Sequence, residues 1–109
     1  MINEIKEYNQ RQLMLMIAKI NFYKKNEISF GHLLVSLEAL CSCLKNTEIS
    51  WKENFYRLCN NLDYSYLNFN NINLSKEIRI SEKIEFDESI NELIKLIHQK
   101  IPKSNLESH

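Results

Sequence analysis

Apolar residues return along this chain at helical intervals. The pattern is clearest between Ser29 and Asn46, where they fall at Phe30, Leu33, Leu34, Leu37, Leu40, Cys41 and Leu44. Steps of three and four draw one stripe along an α-helix and fit no strand. Val35 and Ala39 widen the stripe, so this helix is expected to have neighbours on more than one side and to be central to the fold.

Three further helices follow from the same logic. Over 2–25, Ile2, Ile5, Leu13, Met16, Ile17, Ile20 and Tyr23 or Phe22 make a looser stripe that Asn9 interrupts. The short turn at 26–28 makes the first two helices antiparallel neighbours. Ser29 is the expected N-cap of the 29–46 helix, with Ile28 packing on Leu33 as a staple. Ser50-Trp51-Lys52-Glu53 reads as a capping box that starts a helix over 50–68, with Trp51, Phe55, Leu58, Cys59, Leu62 and Tyr66 on its inner side.

Between 69 and 80, Ile72, Leu74, Ile78 and Ile80 alternate. That predicts a short extended segment or an irregular connection. The last helix is expected over 81–101, with Phe86, Ile90, Leu93, Ile94, Ile97 and Ile101 facing inward and Pro102 stopping it. The expectation is an all-α, single-domain bundle of about four helices over 1–102. A frayed polar tail is expected at 103–109, with 106–109 read as a cloning remnant.

Composition agrees. One glycine and one proline in 109 residues leave little material for the turns that an all-β fold requires. Fourteen basic and fourteen acidic side chains cancel, so bulk charge names no partner, but their distribution is uneven. Residues 1–25 hold five cations and two carboxylates; residues 81–94 hold five carboxylates and Lys83 alone. No concentrated basic face marks a nucleic-acid binder. The polar opening residues are not those of a secretory leader, and no apolar run reaches membrane-span length. Three cysteines, an odd number, in such a chain suggest a reduced, cytoplasmic protein.

The candidate chemistry is sparse. Cys41 and Cys43 point roughly 200° apart around a helix, so they cannot share a metal, and Cys59 completes no zinc spacing. His32 and His98 stand beside no recognisable nucleophile motif. The chain is therefore read as a non-enzyme without cofactor or metal, a Cys–His enzyme being the remote alternative. Glu38 is read as a solvated residue on the polar side of its helix, or else as an acid held at a partner surface.

Two groups suit a binding surface. Glu85, Glu88 and Glu92 recur at steps of three and four opposite Phe86, Ile90 and Leu93, with Glu82 and Asp87 at the edges. They form either an ordinary solvated face or an anionic patch that steers a basic partner. Tyr64 and Tyr66, with Asp63 beside them and Tyr56 two turns earlier, cannot all enter one core stripe, and exposed Tyr beside an acid suits a protein interface.

Taken in order, Ile28-Ser29-Phe30, Leu37-Glu38-Ala39-Leu40, Trp51 with Phe55, and Asp63-Tyr64 with Tyr66 resemble a family of small helical immunity proteins. These guard bacteria against secreted polymorphic toxins, including those of contact-dependent growth inhibition. The resemblance covers about residues 15–100. It implies a cytoplasmic inhibitor that binds the C-terminal domain of a cognate toxin, typically a basic ribonuclease, and covers its active site. The implied contact surface is Asp63, Tyr64, Tyr66, Glu82, Glu85, Asp87, Glu88 and Glu92, with no nucleic acid or membrane as partner. The free chain is expected to be a monomer or weak dimer. The alternative is a helical adaptor or self-associating regulator.

Overall fold

Four runs of helical spacing become four helices in the computed structural model, which describes residues 2–101 and, of Ile2, the backbone alone. They are α1 (Ile2–Lys24), α2 (Phe30–Cys43), α3 (Ile49–Phe69) and α4 (Lys76–Lys100). The fold is an all-α bundle. Pro102 and the tail at 103–109 lie outside the described residues.

Each helix packs on its chain neighbours and α4 closes the ring on α1, the most extensive contact being α3 on α4. The stripes meet in one core: Leu13, Met16 and Ile20 from α1, Phe30, Leu33, Leu37 and Cys41 from α2, Trp51 to Leu62 from α3, and Phe86 to Ile97 from α4. The Trp51 indole N–H donates to the Leu96 carbonyl at 3.1 Å. Phe69, at the other end of α3, meets Phe86 with ring centroids 5.2 Å apart. These two contacts make α3 and α4 antiparallel.

Asparagine and serine residues close the turns. After α1, Asn26 is left-handed at φ 61°, and the N–H groups of Asn26 and Glu27 return to the Tyr23 and Phe22 carbonyls, both at 2.9 Å. This is a Schellman close, which an asparagine tolerates better than most residues. Ser29 then caps α2 as expected, its hydroxyl accepting from the His32 N–H at 3.1 Å. Asn9, the polar break in the α1 stripe, has a structural task. Its amide donates to the Lys45 carbonyl at 2.7 Å and accepts from the Lys45 N–H at 2.9 Å, tying α1 to the turn after α2.

Four expectations change. α2 is not central: Val35 is 68% exposed, and α2 buries a single stripe. It also ends at Cys43, short of 46, because Leu44 turns extended to enter the core and returns its N–H to Cys41. The capping box does not form, since the Lys52 N–H already bonds the Glu48 carbonyl at 3.2 Å. That closes the first turn of α3 two residues early and leaves Ser50 inside the helix. Finally, the irregular connection is shorter than 69–80: it spans 70–75, and the second half of the alternating segment is helix. Ser75 caps α4, its hydroxyl accepting from the Ile78 N–H at 3.2 Å, so α4 starts at Lys76. The first ten residues of α4 bury no side chain, and they extend a body measuring 53 × 31 × 20 Å.

Candidate functional site

The sequence-predicted surface residues separate into three places, with Glu82 apart from all of them. One is the outer edge of the α3–α4 seam. There Asn54, Arg57 and Leu58 of α3 line a shallow groove with Glu92, Lys95 and Leu96 of α4. Seven residues are close to two turns, so Tyr64 stands in the Arg57 row of α3 and Glu85 in the Glu92 row of α4. Because the helices are antiparallel, both rows advance toward the same end. Tyr64, 67% exposed, thus comes beside exposed Glu85 and Glu88. Among the described residues none of these three glutamates is in an ion pair. Buried Ser65 and Ser89, one on each facing stripe, keep this seam narrow.

The second place is an aromatic cleft at the end where α1 and α3 finish and α2 begins. Tyr66 does not face solvent freely. Its ring stacks on Phe30 at 4.2 Å between centroids, and Tyr23, Phe69 and Phe86 pack around the pair. Tyr23, Lys24, Tyr66, Lys83, Phe86 and Asp87 line a cleft of about 590 Å³ there. Asp87 accepts from Lys83 at 2.7 Å, and the Lys83 ammonium lies 5.5 Å from the centroids of both Phe69 and Phe86. Burial, and then the charges of Tyr66 and Asp87, push the Tyr23 phenol up. The sequence pattern left this cleft unseen, although aromatic residues near several helix ends were its available signal.

The third place is the α2 side of α3. Asp63 is two turns from Tyr56, which is half-buried against Cys41, so Asp63 points away from the glutamate row. Glu82 belongs to the inner side of α4, half-buried in the row of Ser89. The eight residues therefore do not form one patch: Tyr64, Glu85, Glu88 and Glu92 come together, while Asp63, Tyr66, Glu82 and Asp87 do not join them.

The sulfur chemistry is quiet at two of three thiols. Burial, together with Glu38 and Cys41, pushes the Cys59 thiol up to about 12. Burial also raises Cys41, against the opposing pull of Tyr56 and Lys52. Thiols held protonated at neutral pH are poor nucleophiles and poor metal ligands. Burial raises the Tyr56 phenol to about 12, helped by its hydrogen bond to Cys41 and by Glu38. Glu38 is thus a half-buried acid turned toward α3 and not a solvated residue on a polar side. Among the described residues no three His, Cys, Asp or Glu side chains are arranged to hold a metal ion, and no helix is long and apolar enough to cross a membrane. No protein-family model, curated protein or solved structure matches the chain.

Proposed function

We propose that this chain is a toxin-neutralising binding protein of the immunity kind. In the cytoplasm it docks on the basic active-site region of a secreted ribonuclease domain and blocks it by occupancy, with no chemistry of its own. One observation carries the reading: the outer edge of the α3–α4 seam sets exposed Tyr64 beside exposed Glu85 and Glu88, with Glu92 further along the row. A rigid aromatic anchor beside unpaired carboxylates suits a cationic partner, since tyrosine supplies buried area and the carboxylates speed and orient encounter. A ribonuclease site must present cations to phosphate, and an anionic face competes for them. The motif order from Ile28 to Tyr66 supports the same reading.

The test is co-expression with the toxin domain encoded immediately upstream of the gene. Rescue of growth with a co-purifying complex is the expected result. The combined changes Glu85→Lys, Glu88→Lys and Glu92→Lys should then abolish both while leaving the circular-dichroism melt in place. Rescue that survives this triple change would move the docking face elsewhere. No rescue and no complex would end the toxin reading.

A further inference from the structure

The outward faces of α1 and α4 carry matching ridges that nothing in the bundle covers. Along α1 and into the turn that follows it, Arg11, Leu15, Ala18, Phe22 and then Lys25 come at steps of four, three, four and three, the spacing of a helix-packing seam. Leu15 is 47% and Phe22 41% exposed, and Arg11 and Lys25 are exposed at either end. Beside this ridge lies an open groove of about 520 Å³ that includes Met14 and Leu15. On α4, Glu77, Ile80, Ile84 and Glu88 follow at three, four and four. Ile80 is 52% and Ile84 54% exposed, and both flanking glutamates are exposed.

The two ridges are complementary in charge as well as in shape of pattern. One is apolar between two cations and the other is apolar between two carboxylates. The α1 ridge lies in a stretch, residues 8–25, with four cations and no carboxylate; the nearest acid on that helix is Glu7, and among the described residues no ion pair joins it to Arg11. The α4 ridge lies in a stretch, residues 77–88, with five carboxylates against the two cations Arg79 and Lys83. Because each ridge has like charges at its two ends, they match in either relative direction.

We infer that a second copy of this chain is the occupant: the α1 ridge of one protomer seats on the α4 ridge of the other. α1 and α4 are neighbours in the bundle. A two-fold axis beside them therefore makes the contact twice and closes the assembly at a dimer. The apolar centres lose water together while Arg11 and Lys25 meet Glu77 and Glu88 at the rim, where opposite charge selects the pairing and like charge opposes it. Glu88 belongs to this ridge and to the glutamate row proposed to meet the toxin, so the test uses the isolated chain, where no toxin competes for it.

The experiment is sedimentation equilibrium over a concentration series on three proteins. The wild type should show a concentration-dependent dimer. The variant Arg11→Glu with Lys25→Glu, and separately the variant Glu77→Lys with Glu88→Lys, should each dissociate, with dissociation constants raised at least about tenfold. An equimolar mixture of the two variants should recover the dimer, because both contacts then oppose cation to carboxylate again. All four positions are exposed, so unchanged circular dichroism separates lost association from lost fold. A wild type that stays monomeric overturns the inference and leaves the ridges to a different protein. A dimer that survives either reversal, or variants that fail to re-associate when mixed, overturns the pairing of α1 with α4.

Discussion

The two halves of α4 are one continuous helix held in two different ways. From 86 onward, Phe86, Ser89, Ile90, Leu93, Leu96 and Ile97 are buried against the other helices. From 76 to 85 no side chain is buried, and Ile78, Ile80 and Ile84 are about half exposed. A ten-residue helix alone would be marginal in water. Here the packed half supplies the nucleus, and propagation outward needs only a good end. Ser75 caps that end, Glu77 faces the positive pole, and Lys83–Asp87 bridges the next turns. Packing sets where the helix must exist, and capping sets how far it runs.

The largest effect should separate the halves outright. Leu93→Ala should cost about 2–5 kcal/mol, read as a lower denaturant midpoint at constant slope, whereas Ile84→Ala, read at a dilution where the chain is monomeric, should stay within about 0.5 kcal/mol. Equal costs would break the comparison. The second effect is alkaline. Cys59 rises from an ordinary 9.0 to about 12 in the fold, so above pH 9 the unfolded thiol loses its proton while the folded one keeps it. Stability present below pH 9 should therefore drain away between pH 9 and about 12, with Tyr56 adding from 10 upward. Cys59→Ala should flatten that slope in a pH series of denaturant melts. A melt indifferent to pH in this window would show that the buried face admits water.

Ser75→Ala sharpens the contrast from the other end. It should cost about 1 kcal/mol and speed hydrogen exchange in the first turns of α4, leaving amides near Leu93 protected. The smallest effect belongs to the glutamate row, where the triple lysine change proposed above should leave stability within about 0.5 kcal/mol. A larger loss would mean that these carboxylates support the seam and do not simply border it.

The same contrast explains what the sequence reveals. Phe30, Leu33, Leu37 and Cys41 mark α2 because one buried stripe imposes one period, and Trp51, Phe55 and Leu62 do the same for α3. The start of α4 leaves no such trace, because nothing there is buried, so chance alternation at Ile72, Leu74, Ile78 and Ile80 reads as extended chain. Ser50 and Glu53 fit a capping box by composition, yet the choice of first turn falls to Glu48, whose side chain also pairs with Lys100 across the bundle. The glutamate row is legible from its own spacing. The fate of Tyr66 is not, since its stacking on Phe30 joins residues of different helices. Asn9 is similar: a flaw in the α1 stripe when read alone, and a clamp once Lys45 arrives beside it.

The unburied opening of α4 has a consequence for how such a protein can change over generations. Substitutions at 76–85 meet no volume limit and no buried polar group that must stay paired beyond Arg79, whose Nε is enclosed without a partner. Mutations there are close to free in stability, while those at the buried positions from Phe86 onward are not. One helix thereby joins an anchor whose buried positions are constrained in volume to an opening arm whose surface can drift on an unaltered scaffold.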